Sequence, residues 1–205
     1  MSWVREKYRS LYQSLNFERR GLFALVHSEW GDRNTLYPAS SIHITPSFFF
    51  SRVTYLDKSA VAAKFFQDQQ AVQRLVNQEK VYRKEASINF LHQDFQKEML
   101  LPNHDFNLLI SLFGGNLIQQ FAGCLIPNGL ILTCNRFSGQ QQVAEIRYTH
   151  LATIQYRRGK YIIVESSTTP RHSNKDFIRN SRRQWQFKDN EQYYIYQKSD
   201  NKHRG

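Results

Sequence analysis

Apolar side chains recur every three or four positions at the start of the chain, at Trp3, Val4, Tyr8, Leu11, Tyr12 and Leu15, then at Phe17, Leu22, Phe23, Leu25 and Val26. That period predicts two amphipathic helices whose apolar faces, Trp3, Leu11, Leu22 and Phe23 among them, must be buried against the rest of the molecule. Gly31, Asp32 and Asn34 interrupt the pattern, and short β-type runs then alternate with helical ones. Residues 35–37, 51–56 (SRVTYL) and 87–92 (SINFLH) are β-branched and aromatic, and the last two are followed by Asp57 and Asp94. Residues 105–112 (DFNLLISL) are almost continuously apolar and stop at Gly114 and Gly115, the pattern of a strand covered on both faces. Helical spacing fills 59–84 and 116–126, a turn at Pro127, Asn128 and Gly129 follows, and 130–134 is a further apolar strand.

Strands alternating with helices imply a parallel sheet with right-handed crossovers. The style changes after Asn135: residues 150–156 and 160–166 flank the turn Arg157, Arg158, Gly159 as an antiparallel hairpin, and 192–197 (QYYIYQ) form a last strand. The expected organisation is an N-terminal helical segment, 1–33, packed on one α/β domain, 34–198, with a flexible tail at 199–205.

The 205 residues carry a net charge of +11, distributed unevenly. Residues 21–146 hold equal numbers of basic and acidic side chains, whereas 147–205 hold 13 basic and 5 acidic ones. A basic segment on a neutral core is the pattern of a polyanion contact. Arg171, Lys175, Arg179, Arg182 and Arg183 recur every few residues in it, with Trp185 and Phe187 beside them. A solvated loop is one reading of this segment; if it is helical, the cations gather on one face and nucleic acid is the partner that face would take. Only Cys124 and Cys134 are present, which excludes a disulfide framework and CxxC metal chemistry and fits a cytoplasmic protein. No run approaches the roughly 18 to 20 apolar residues of a membrane span, and the opening residues are charged where an export signal is apolar.

Ligands of open parallel sheets lie outside the carboxyl ends of the strands, where strand order reverses. Asp57 closes the second strand 18 residues past Ala39, close to the roughly 20 of a nucleoside site in which a carboxylate accepts from ribose hydroxyls. Asp94 closes the third, where an acid accepts from an adenine amino group while Phe95 covers the ring. His43 lies in the first strand's loop, as a pocket group or as a structural imidazole bonded to backbone. GxxxxGK[ST], GxSxG and HExxH patterns are all absent.

These pieces, TLYPASS, VTYLDKS, INFLHQDF, DFNLLISLFGG and LIPNGLILTCN, with the closing hairpin and QYYIYQ strand, resemble the class I AdoMet-dependent methyltransferases over about residues 34–198. The resemblance implies a Rossmann-like α/β fold with a mostly parallel central sheet, an antiparallel last strand and N-terminal helices. It also implies S-adenosylmethionine as cofactor. Tyr37, Ala39, Ser40 and Ser41 would line the sugar and methionine end, Asp57 the ribose, Asp94 and Phe95 the adenine, and Phe113, Gly114 and Gly115 the floor. The family's first loop is glycine-rich because the cofactor approaches backbone closely; here Ala39, Ser40 and Ser41 stand in it. Two functions follow: methyl transfer to an acceptor that the chain does not name, or a catalytically silent relative that serves as a binding module. No [DN]PP[YF] run follows the fourth strand, so methylation of base amino groups is not indicated.

Overall fold

A computed structural model describes residues 2–94, 101, 103, 105–114, 116–135, 148–164, 177–179, 181–182 and 184–199. An eight-stranded sheet organises them, in the order β3-β2-β1-β4-β5-β10-β6-β7. Its first part is parallel: β1 (Asn34–Pro38), β2 (Arg52–Asp57), β3 (Ser87–His92), β4 (Phe106–Ser111) and β5 (Leu125–Cys134). The last strand, β10 (Gln192–Lys198), is antiparallel to both β5 and β6 (Tyr148–Arg157) and lies between them. The edge strand β7 (Lys160–Val164) returns from β6 through Arg158 (φ 48°) and Gly159 (φ 83°), two consecutive left-handed residues of the kind that let a two-residue turn match the twist of its strands. A Rossmann-like α/β architecture, with a sheet that is parallel apart from its last strands, is therefore what the molecule has.

The alternation of side chains along each strand sorts the core into two layers. Tyr37, Tyr55, Ile110, Leu132, Tyr193 and Ile195 face one way, into a cluster completed by the N-terminal helices, residues 42–50, α3 (Ala60–Gln67) and α4 (Gln69–Glu79). Leu36, Leu56, Leu109, Ile131, Tyr194 and Tyr196 face the other, against Leu117, Ile118 and Phe121 of α5 (Leu117–Phe121).

Several sequence expectations change. The helical run 59–84 is two helices, because Asp68 caps α4 by accepting from the Ala71 amide (3.0 Å) just as Ser59 caps α3 (3.2 Å to Ala62), and α4 ends at Glu79. The helical run 116–126 shrinks to α5 and a 3-10 turn, Ala122–Cys124. Pro127, Asn128 and Gly129 form a bulge inside β5 rather than a turn before it, since Leu125 pairs with Phe106 and Leu130 with Leu108 while the residues between loop out, Asn128 at φ 62°. Pro46 lies in a 3-10 turn, Thr45–Phe48, and the Thr45 hydroxyl bonds Tyr8 Oη at 2.6 Å.

At the N-terminus α1 (Trp3–Tyr8) runs on into a π turn, Arg9–Gln13, and α2 (Arg20–Trp30) follows. Val4, Tyr8 and Tyr12 form the buried stripe, with Leu22, Phe23 and Val26 from α2. Trp3 and Leu11, expected inside, are 38% and 37% exposed; Trp3 instead lies under the Lys64 ammonium, 4.8 Å from its ring centre. The basic segment is not helical where it is described: β8 (Phe177–Arg179) and β9 (Trp185–Phe187) pair as an antiparallel hairpin. Among the described residues no helix is long and apolar enough to cross a membrane, no His, Cys, Asp and Glu cluster of metal-binding type occurs, and both cysteines are free and buried.

Candidate functional site

β1 lies between β2 and β4, so the chain crosses to opposite sides on leaving it and a crevice opens at the carboxyl ends of β1 and β4. Ala39 (φ 54°) and Ser41 (φ 49°) both adopt the left-handed conformation in the loop that leaves β1, which costs an L-residue about 1 to 2 kcal/mol. Asp57 holds the loop in that shape. Its Oδ2 accepts from the Ser41 amide and its Oδ1 from the Ser59 amide, both at 2.8 Å. Opposite, Gly114 at φ 126° follows β4, and a Cβ there would stand 3.1 Å from Leu117 Cδ1 and 3.5 Å from Ala39 Cβ. Only glycine leaves that part of the crevice open. Asp94 lies past the end of β3, 3.4 Å from the Lys58 ammonium. Asp57 is thus bonded to Ser41 and Gly114 lies beside Ala39, whereas Phe113 packs on Phe17 and His43; Phe95 and Gly115 lie outside the described residues.

Deeper in the loop the side chains are sealed. Ser40 is fully buried, and Tyr37 Oη meets His43 Nδ1 at 2.9 Å, both residues without exposed surface. His43 Nε2 meets the Glu18 carbonyl at 2.9 Å, and the ring stacks on Tyr12 with centroids 4.7 Å apart. Burial, helped by the nearby Arg19 charge, pushes the imidazole down to about 3, so it is neutral. Burial also pushes the Tyr12 phenol up to about 12 and raises that of Tyr37. Of the two roles open to His43, the backbone-bonded structural one is what the geometry shows.

A second centre lies beside the first and has no signal in the sequence. Arg19, fully left-handed at φ 50° and with a side chain 1% exposed, places its guanidinium 4.4, 5.1 and 4.7 Å from the ring centres of Phe17, Phe113 and Phe187. Its Nε donates to Tyr193 Oη (2.7 Å) and its Nη2 to Glu191 (3.4 Å); Tyr193 donates in turn to Asp189 (2.7 Å), which also accepts from Tyr161. Burial alone would lower the guanidinium's pKa, but Tyr193, Glu191 and Asp189 together reverse this and raise it. Nη1 has no hydrogen-bond partner among the described residues. Arg19 and its partners are about 170 residues apart in sequence, so no local pattern joins them. A cleft of about 400 Å³ adjoins this centre, between Asn16, Glu18, Arg20, the β6–β7 turn and Asp189. Burial raises the pKa of its Glu18 carboxyl, which accepts from Tyr8 Oη at 2.9 Å.

Of the five cations singled out in the basic segment, Arg179 and Arg182 are described and exposed; Arg171, Lys175 and Arg183 lie outside the described residues. The Arg179 guanidinium sits 5.0 Å from the centre of the Trp185 ring.

The donor set at the crevice fits an adenosyl ligand at its sugar end. Each Asp57 oxygen accepts one hydrogen bond among the described residues, and an ionised carboxylate offers about four acceptor positions, which leaves capacity for a vicinal diol.

No sequence-family model matches the chain, and no characterised protein matches it by sequence. Solved structures do match by shape. A putative S-adenosyl-L-methionine-dependent methyltransferase from Methanococcus maripaludis superposes with a TM-score of 0.55 at 10% identity, covering 98% of this chain and 93% of that one. The N-methyltransferase NodS from Bradyrhizobium japonicum WM9, in complex with S-adenosyl-L-homocysteine, gives 0.51 at 10% identity over 89% and 87%. A methyltransferase from Geobacter sulfurreducens gives 0.51 at 10% identity over 98% and 90%. With β10 inserted antiparallel between β5 and β6 and the order reversing beside β1, the chain has the fold of the class I AdoMet-dependent methyltransferases.

Proposed function

We infer that the chain binds S-adenosylmethionine in the crevice between β1 and β4 and transfers its methyl group to an acceptor. One observation carries this reading. Two non-glycine residues, Ala39 and Ser41, are left-handed where the fold's nucleoside crevice lies, and the carboxylate of Asp57 holds the Ser41 amide. Backbone strain of this kind persists where a function needs the shape. The cofactor supplies an electrophilic methyl on a sulfonium. The chain's part is positioning: Asp57 accepts from the ribose hydroxyls, Asp94 lies toward the adenine, Ala39 and Ser41 form the wall at the methionine end, and Phe113 and Gly114 form the floor, while the buried Tyr37 and Ser40 side chains support that wall from behind. In-line transfer needs orientation more than a strong acid or base.

The silent binding module has one observation on its side, the buried Tyr37–His43 pair packed where the loop turns back. Calorimetric titration with S-adenosylmethionine and S-adenosylhomocysteine separates the two. Saturable binding that is lost in Asp57→Ala is expected; no heat from either ligand at millimolar concentration overturns the methyltransferase reading and leaves the binding module.

A further inference from the structure

Among the described residues of the last third, the exposed charge has one sign. In the described part of the last third, Arg157, Arg158, Lys160, Arg179, Arg182 and Lys188 are all exposed, whereas the only two acids, Asp189 and Glu191, are buried against Arg19. Among these described residues folding therefore removes the negative groups from the surface and leaves the positive ones on it.

Local contacts bring these cations to a single face. The Phe187 amide donates to the Leu15 carbonyl at 2.6 Å and its ring packs edge-on against Phe17 at 4.6 Å, which docks the β8–β9 hairpin on the N-terminal segment. Tyr161 bonds Asp189, which ties the β6–β7 turn to the same place. Phe17 in turn packs on Phe113 at the end of β4, 5.9 Å between centroids. The cationic face thus adjoins the crevice rather than lying across the molecule from it. At its outer edge Trp185 is 53% exposed, with the Arg179 guanidinium against its ring. An exposed indole beside arginines is the arrangement on which unpaired bases stack while cations follow the phosphates.

We propose that this face binds single-stranded nucleic acid through Lys160, Arg179, Arg182 and Trp185, and presents it to the crevice as the methyl acceptor. The acceptor role rests on the methyltransferase reading above; the binding surface does not.

The test is fluorescence anisotropy with 20-mer RNA and DNA oligonucleotides and with inorganic polyphosphate of similar charge, without S-adenosylmethionine, from 50 to 200 mM salt. Wild type is expected to bind both oligonucleotides, more weakly as salt rises. In the triple variant Lys160→Ala, Arg179→Ala, Arg182→Ala the slope of log affinity against log salt should flatten by roughly 2, about 0.7 for each lost phosphate contact on a single strand. Trp185→Ala should weaken oligonucleotide binding by roughly five-fold or more and leave polyphosphate binding unchanged. All four side chains are exposed, so unaltered thermal melts check that the variants fold. No oligonucleotide binding at 50 mM salt, equal slopes for wild type and triple variant, or polyphosphate binding as tight as the oligonucleotides' overturns the surface. Oligonucleotide binding by a protein that gives no heat with S-adenosylmethionine upholds the surface and overturns the acceptor role.

Discussion

The carboxylate of Asp57 at the end of β2 accepts the backbone amide of Ser41 at 2.8 Å, so a side chain from one strand sets the conformation of the loop leaving its neighbour. Its other oxygen holds the Ser59 amide at the start of α3. One residue thereby fixes both chain segments that border the crevice, and it does so with charge-assisted bonds, the stronger kind. Asp57→Ala should lower stability by about 1.5 to 3 kcal/mol through the loss of these bonds, besides abolishing binding of S-adenosylmethionine. Urea denaturation beside calorimetry reads both; a variant that keeps full cofactor affinity despite the loss of stability would make Asp57 a loop anchor alone.

Ala39 and Ser41 carry the strain that this anchor maintains. Glycine removes a left-handed penalty of about 1 to 2 kcal/mol at each position and adds back roughly 0.5 to 1 kcal/mol of chain entropy. Ala39→Gly and Ser41→Gly should each raise stability by about 0.5 to 1 kcal/mol, seen as a higher urea midpoint at unchanged slope. A lower midpoint would mean that the two side chains contribute contacts larger than the strain.

His43 titrates far below a free imidazole, at about 3, because burial disfavours its charged form. A depressed folded pKa stabilises the protein above the unfolded value of about 6.5 and loses that contribution as pH falls toward 3, at up to about 1.4 kcal/mol per pH unit. The His43 ring protons should show no titration in NMR spectra between pH 7 and 4.5. Wild type should also lose stability over that range faster than His43→Gln. A midpoint near 6 would show that water reaches the ring.

The sheet was legible in the sequence because its strands are dense runs of Val, Ile, Leu, Phe and Tyr, as in 105–112 between Asp105 and Gly114. Asp57 was legible for the same reason, standing where a strand stops. The α3–α4 break was not, since Asp68 sits in an unbroken helical period and acts only through its own cap bond to Ala71. Trp3 fits the helical stripe by spacing yet lies on its edge, where the Lys64 side chain covers it. The Arg19 centre was invisible because its parts come from the two ends of the chain and meet only once β10 has entered the sheet.

That centre gives the last prediction. Arg19 is buried with Asp189 and Glu191 as its ionic partners, at 3.9 and 3.4 Å, and removing a guanidinium from such a site leaves two carboxylates without their counter-charge in a medium that solvates them poorly. Breaking a buried pair in this way costs about 3 to 5 kcal/mol, so Arg19→Met should lose that much in urea denaturation. Arg19→Lys should lose part of it, because an ammonium keeps the charge but neither the planar contact with Phe17, Phe113 and Phe187 nor the directed bond to Tyr193. Neutralising the partners as well, with Arg19→Met, Asp189→Asn and Glu191→Gln together, should recover more than half of the loss, since the unpaired charges and not the lost contacts dominate it. A triple variant as unstable as Arg19→Met alone would instead assign the stability to the guanidinium's packing among the three rings.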